Sequence, residues 1–160
     1  MSSDDSSSPF TTAPAPEVGP PLIGALLRVP WEAVRARMLK RLRENGFDDF
    51  EPAHFTVFRY PSPDGARPSE LAANLGISKQ SLNYLLRELE RLGYLERRQD
   101  PEDLRGKRIV VTRRGHAAIE IIREAVHELE AEWAGRLGAR RFAELRSLLI
   151  ELNELARPVP

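Results

Sequence analysis

The strongest pattern of apolar and polar positions in the chain predicts two short helices on either side of Gly76. In the first, Ser69–Leu75, the apolar residues Leu71 and Leu75 lie four positions apart and share one helical face. Glycine commonly ends a helix, and Ser78 is well placed to cap the second one. Leucines then recur at helical spacing as a stripe that would be buried: Leu82, Leu85, Leu86, Leu89 and Leu92. Two helices joined by such a turn are typical of a helix-turn-helix.

The opposite face of the second helix carries side chains suited to DNA. Gln and Asn can form paired hydrogen bonds with adenine, and Arg with guanine or phosphate. Free N–H groups at the helix N-terminus favour a phosphate, and Ser81 is expected to cap the helix or contact the DNA backbone. The alternative is an ordinary amphipathic helix with a solvated polar face. The candidate DNA-binding residues of this helix are Ser78, Lys79, Gln80, Ser81, Asn83, Tyr84 and Arg87, and Arg91 lies on the same face.

A β-hairpin is predicted directly after these helices. Tyr94–Arg98 and Lys107–Val111 are short runs with aromatic or β-branched residues, and the loop between them contains Pro and Gly. Arginine suits the negative potential of a narrow minor groove, so the hairpin is interpreted as a DNA-binding wing, against the alternative of a solvated turn. Asp103 is expected to hold the Arg105 side chain by a local ion pair. The cations around the loop are Arg97, Arg98, Arg105, Lys107 and Arg108.

Four motifs in this region resemble those of the MarR family of bacterial transcription regulators. They are S-E-L-A-x-x-L-G-I-S at 69–78, L-x-x-L-x-R-L-G-Y-L-E-R at 86–97, D-P-x-D at 100–103 followed by Arg105, and V-T-x-x-G at 111–115. The resemblance implies a mainly α fold with a small β wing, in which a winged helix-turn-helix is joined to N- and C-terminal dimerisation helices. It also implies a homodimer that binds double-stranded DNA at a palindromic operator, usually as a repressor.

The same resemblance implies that a small-molecule effector relieves repression by binding between the dimerisation helices and the winged domain. A cavity lined by aromatic residues with one or two cations would suit an aromatic acid. These residues would serve equally well as plain core packing, so both interpretations stay open. The candidate ligand-binding residues are Trp31, Arg35, Met38, His54, Phe55 and Arg59.

Helical patterns also flank the winged segment. A kink or a break is expected at Pro30, inside the first of them. The apolar faces of the terminal helices exceed what a small winged domain can cover, which favours a dimer over a monomeric bundle. The predicted helices are Pro21–Asn45, Pro52–Phe58, one from the N-cap Thr112 to about Leu137, and Ala139–Leu155.

These patterns divide the chain into three parts. A disordered tail over 1–20 is rich in Ser, Pro and acidic residues. A helical dimerisation domain combines 21–50 with 113–157, and the winged helix-turn-helix occupies 51–112. The tail lacks the features of a signal peptide, and no apolar run reaches the length of a membrane helix. A soluble, cytoplasmic protein with no membrane partner is therefore expected.

Composition changes this picture through its lack of cysteine and its uneven charge. With no cysteine, disulfides, thiolate zinc sites and cysteine-based peroxide sensing are excluded. The 24 Lys and Arg balance the 24 Asp and Glu, for a formal net charge of 0. Residues 78–114, however, hold ten cations against six anions, a local charge of +4 that a dimer would double. A local basic footprint of this kind is what phosphate binding requires.

Catalysis is not expected from this sequence. The histidines His54, His116 and His127 are far apart, and no HExxH, GxSxG or glycine-rich phosphate loop is present. A metal site built from His127 and neighbouring glutamates is disfavoured, and no cofactor is expected. The competing hypothesis is a winged-helix module that binds another protein, and its affinity would hardly respond to salt.

Overall fold

The computed structural model of the chain describes residues 20–58, 65–103 and 105–156. The tail over 1–19 and Arg59 lie outside the described residues. A 3₁₀ turn at Pro52–His54 leads into the second helix, so the helix predicted there is present in two parts. The fold is mainly α with a small β wing, as predicted. Its elements are α1 (Ile23–Glu44), α2 (Phe55–Phe58), α3 (Pro68–Leu75), α4 (Lys79–Arg91), β1 (Leu95–Gln99), β2 (Lys107–Val111), α5 (Arg113–Leu137) and α6 (Ala139–Leu155).

Helices α3 and α4 form the predicted helix-turn-helix. Gly76 ends α3 in the left-handed region at φ 63°, which glycine adopts without strain. The Ser78 hydroxyl caps α4 by accepting the backbone N–H of Ser81 at 3.1 Å. The inner face of α4 is buried through Leu82, Leu86 and Leu89.

Strands β1 and β2 pair antiparallel and form the wing, with Leu95 opposite Val111. The first strand begins and ends one residue later than the sequence pattern predicts. The reason is that the backbone N–H of Tyr94 still bonds to the carbonyl of Leu89, at 2.9 Å, where the chain leaves α4.

A backbone contact absent from the sequence prediction ties the wing to the start of α3. Ala66 and Ile109 exchange two hydrogen bonds, of 3.0 and 2.8 Å, and form a single β-bridge. The preceding Gly65 has a φ of 80°, and a Cβ there would lie 2.9 Å from the carbonyl oxygen of Ile109. This close approach therefore favours glycine on both steric and conformational grounds.

Tyr94 lies at the junction of α5, the wing and the loop after α1. Its ring is fully buried and packs edge-on against Phe50, with 5.3 Å between centroids. Its hydroxyl donates to Asp49 at 2.6 Å, and Arg114 donates to both oxygens of that carboxylate at 2.9 Å. Burial, followed by the hydrogen bond to Asp49, raises the pKa of Tyr94 well above its usual range. The three segments thus share one partly buried polar contact.

The first turn of α5 approaches the wing so closely that only glycine fits. Thr112 is the N-cap, as predicted, and its hydroxyl accepts the backbone N–H of Gly115 at 3.1 Å. A Cβ at Gly115 would overlap the carbonyl oxygen of Tyr94 and lie 2.6 Å from a Val111 methyl group. Glycine at this position therefore permits the close approach of α5 to the wing.

The terminal helices pack side by side, with α1 against α5 and α5 against α6. Arg37 donates to both oxygens of Glu132, at 2.8 and 2.9 Å, and Arg41 donates to Glu128 at 3.0 Å. Of the kink or break expected at Pro30, the break does not occur, because α1 is continuous through this residue. A proline removes one backbone hydrogen bond of a helix, and the rest of α1 keeps its helical conformation.

Apolar side chains of the terminal helices remain uncovered in the single chain. Helix α6 has no buried residue, although every third or fourth position is apolar. Exposed apolar patches of this extent are characteristic of interaction surfaces. The exposed residues are Leu22, Ile23, Leu26, Leu27, Val29 and Trp31 around the start of α1, and Leu145, Leu148, Leu149, Ile150, Leu152 and Leu155 on α6.

Candidate nucleic-acid interface

The outward face of α4 carries the side chains that the sequence analysis selected. Gln80, Asn83, Tyr84 and Arg87 are exposed and line one shallow depression. Their spacing of three, four and seven residues places them on one face, away from the leucine stripe. Tyr84 is 68 % exposed, which is high for a large aromatic side chain. The face thus offers amide, phenol and guanidinium groups, which can bind base edges and phosphates.

The N-terminal end of α4 has a different chemistry. Ser81 donates its backbone N–H to the Ser78 hydroxyl, and this hydroxyl donates in turn to the Ser81 hydroxyl at 2.9 Å. Ser78 is therefore the cap of α4, and Ser81 is its hydrogen-bond partner. Lys79 is exposed beside them. Its charge and the helix dipole make this end of α4 positive.

Two wing cations are already paired with acids. Arg97 donates to Glu90 at 2.8 Å, and Arg98 donates to Glu96 at 2.7 Å. The pair of Arg98 with Glu96 is largely exposed, and such pairs are worth about 0–1 kcal/mol, whereas the pair of Arg97 with Glu90 is half-buried. Arg98, a predicted DNA contact, would have to exchange Glu96 for a phosphate.

Two expectations about the wing loop are wrong. The Asp103 carboxylate accepts the backbone N–H of Arg105 at 2.9 Å, and within the described part of the chain no ion pair joins their side chains. Short-range backbone bonding in the turn therefore occupies Asp103. Arg108 does not join the outward cations, because its guanidinium donates to the buried Asp100 at 3.2 Å and to Glu102 at 3.1 Å.

On α4, the wing and the start of α5, six exposed cations keep their charge free for a polyanion. They have no acidic partner among residues 20–58, 65–103 and 105–156. Arg113 was not among the predicted DNA-binding residues, because it follows the cap Thr112 and belongs to neither the recognition helix nor the wing. The six are Lys79, Arg87 and Arg91 on α4, Arg105 and Lys107 on the wing, and Arg113 at the start of α5.

A cavity of about 680 Å³ lies between α1, α2 and α5. Four predicted ligand-binding residues line it, and α5 contributes aliphatic side chains such as Ile122. Arg35 is the one charged residue among the described side chains of its lining, and it has no acidic partner among them. The predicted residues in the lining are Trp31, Arg35, Met38 and Phe55.

His54, a predicted ligand-binding residue, is not among the residues that line this cavity. It is fully buried on the other side of the 3₁₀ turn. Its Nδ1 accepts the backbone N–H of Glu51 at 2.9 Å, and its Nε2 lies 3.3 Å from a carboxylate oxygen of Glu88. The turn geometry directs the imidazole toward α4 instead of α1.

Comparison with known proteins decides the family. A model of the MarR family matches residues 49–106. Transcriptional regulator Tm0710 from Thermotoga maritima is 30 % identical, with a TM-score of 0.57; the match covers 82 % of this chain and 92 % of that one. The chain belongs to the MarR family. No curated protein matches it by sequence.

Two further MarR-family likenesses concern the fold alone. MarR from E. coli, in its apo form, is 24 % identical with a TM-score of 0.64, over 84 % of this chain and 98 % of that one. The S. aureus MepR–DNA complex is 21 % identical with a TM-score of 0.65, over the same shares. These matches extend well beyond residues 49–106. The chain therefore has the fold of MarR-family transcription regulators over most of its length.

Among the described residues, every helix is too short or too polar to span a membrane. No group of three or more His, Asp or Glu side chains in the same part of the MarR-family chain is placed to hold a metal ion.

Proposed function

We propose that this MarR-family protein is a homodimeric transcription regulator that binds a specific DNA sequence. The observation that carries the proposal is the exposed polar face of α4, flanked by cations without acidic partners on the wing and α5. Helix α4 would enter the major groove, where Gln80 and Asn83 would contact base edges. Arg105, at the tip of the wing, would enter the neighbouring minor groove. The DNA bound in the S. aureus MepR complex supports this choice of partner.

The uncovered apolar faces support the homodimer. Two copies packed through the start of α1 and through α6 would remove these faces from water. The dimerisation domain would then comprise residues 21–50 and 113–157, and each 51–112 segment would read one half of a palindrome. Occupation of such an operator would repress transcription by excluding the polymerase.

The cavity supports control by a small anionic ligand. Aromatic and aliphatic walls around one guanidinium favour an aromatic acid, with its carboxylate on Arg35 and its ring against Trp31 and Phe55. Because α1, α2 and α5 all contribute to the walls, a bound ligand would change the angle between dimerisation helices and winged segment. Release of the operator would follow.

The function is tested by fluorescence anisotropy of the purified protein with duplex DNA from upstream of its own gene. A scrambled duplex runs in parallel, and both are titrated across a salt series. We expect selective binding by two subunits per site, with affinity that falls steeply as salt rises, because several phosphates are contacted. Equal, salt-insensitive binding to both duplexes, or none at low salt, would contradict the proposal and favour a protein-binding module.

Ligand control predicts a thermal shift that depends on Arg35. Hydroxybenzoic acids should raise the melting temperature by about 5 °C or more at 100 times the dissociation constant. Arg35→Gln should abolish the shift that the acids cause. The shift caused by the matching amides should be the same in the variant as in wild type. The control Arg43→Gln removes an exposed arginine of the same helix outside the cavity lining and should behave like wild type. A melting temperature that no acid moves would contradict ligand control by this class.

A further inference from the structure

Four charged side chains form a compact cluster at the base of the wing, here called the wing clamp. It consists of Arg67, Asp100, Glu102 and Arg108. Arg67 precedes α3, Arg108 lies on β2, and the two acids belong to the wing loop. The clamp therefore connects the helix-turn-helix to both sides of the wing.

Asp100 is the centre of the clamp. Its carboxylate accepts Arg67 Nε at 2.5 Å, Arg108 Nε at 3.2 Å and the backbone N–H of Glu102 at 3.0 Å. Its own backbone N–H donates to the carbonyl of Gly106 at 3.2 Å, across the loop. The Arg67 hydrogen bond, followed by that of the Glu102 N–H, lowers the pKa of Asp100 to about 2. The carboxylate is therefore charged at any pH suited to DNA binding.

Glu102 closes the outer side of the clamp. Its carboxylate accepts one hydrogen bond from Nη2 of Arg67, at 3.2 Å, and one from Nη2 of Arg108, at 3.1 Å. Two carboxylates and two guanidinium groups make the cluster neutral. It adds nothing to the basic footprint, although it contains two arginines, and its effect must be geometric.

The clamp lies beside the β-bridge of Ala66 and Ile109. Together they fix the loop base to the segment before α3, while the tip carries the exposed Arg105. Charge-assisted hydrogen bonds to a fully buried carboxylate hold their partners in a narrow range of positions. The orientation of the wing relative to α3 and α4 is thus set before any DNA is bound.

We propose that Asp100 is a positioning residue for DNA binding, which holds the wing so that Arg105 and the α4 face meet adjacent grooves together. This inference rests on the proposed DNA-binding function. A preset wing contributes its contact without an ordering cost, whereas a loose wing would lose this advantage.

The sign of the effect separates positioning from simple electrostatics. Asp100→Asn removes a negative charge near DNA, which by Coulomb's law alone would tighten binding. The proposal predicts binding that is weaker by about 5- to 10-fold. The slope of log affinity against log salt concentration should also decrease in magnitude by roughly one, because one phosphate contact is lost. The matched control Glu96→Gln, also on the wing but outside the clamp, should leave affinity equal or slightly higher.

A double-mutant cycle with Arg105→Ala tests whether Asp100 acts through the wing. In wild type, Arg105→Ala should weaken binding to operator and scrambled duplexes alike, by about 5- to 10-fold. In the Asp100→Asn background, it should cost less than about 2-fold, because the wing contact is already lost. An undiminished effect of Arg105→Ala in that background would overturn the proposal.

Hydrogen exchange without DNA keeps this inference separable from the proposed function. Asp100→Asn should speed amide exchange at Ala66 and Ile109 by about tenfold and leave the amides of α5 unchanged. If Asp100→Asn does not fold, Glu102→Gln, at the exposed edge of the clamp, should give the same pattern with smaller amplitude. Unchanged exchange would overturn the clamp itself. If the variant exchanges faster but the wild-type protein binds no DNA, the clamp is established as a structural feature. Its role in DNA binding and the proposed function would then both be overturned.

Discussion

Leu148→Glu on α6 is expected to convert the protein to a monomer and to weaken binding to a palindromic duplex by roughly 100-fold or more. In the single chain, Leu148 is 57 % exposed, so a glutamate there meets water and does not disturb the fold. In the proposed dimer, the same position lies in an apolar interface, where an unpaired charge is costly to bury. Loss of the second subunit then removes the second half-site contact, which is why the effect on DNA affinity is large.

Sedimentation equilibrium and anisotropy on the same samples check this result. Ser147→Glu adds an equal charge to α6 at the adjacent position, which faces away from the leucines, and should preserve both the dimer and DNA binding. A Leu148→Glu protein that stays dimeric at micromolar concentration would show that α6 does not contribute to the interface. A monomer that keeps full affinity would show that one subunit suffices for DNA.

Asn83→Ala is expected to cause the second large change, a fall in sequence selectivity with little effect on the affinity for scrambled DNA. One lost bidentate contact is worth about 1–3 kcal/mol of discrimination, which corresponds to roughly 5- to 150-fold at that base pair. Asn83 is exposed on α4, so its truncation to alanine should leave the helix itself unaffected. Gln80→Ala should act in the same way at a different base pair.

The comparison that isolates this effect is Arg105→Ala, which should weaken operator and scrambled duplexes by equal factors. Each variant is measured against single-base-pair changes across the operator, so that the lost preference is located. Equal losses on both duplexes for Asn83→Ala, Gln80→Ala and Arg105→Ala would contradict the division between base reading by α4 and backbone contact by the wing.

The sequence predicted the helix-turn-helix well because its signals are local. Gly76, Ser78 and Thr112 act within a few residues of their own positions, and each occurs in the structure in the predicted role. The leucine stripe of α4 likewise follows from a period of 3.6 residues and needs no knowledge of its partners. The exposed candidates on α4 follow from the same period.

Predictions that depended on distant partners failed or were incomplete. Asp100 and Arg67 are 33 residues apart, and no local pattern indicates that they pair. Arg108 was therefore counted with the outward cations, although a buried carboxylate holds it. His54 was assigned to a pocket whose lining does not include it.

The helices, the turns, the wing and the polar face of α4 could be predicted from the sequence, because hydrogen bonds and periodicity within a few residues specify them. The folded structure was needed to show which cations stay free, where the cavity lies and how the wing is held. These properties arise from contacts between segments far apart in the chain. Charge pairing and burial at such contacts depend on distances in the folded protein, which the spacing of residues along the sequence does not indicate.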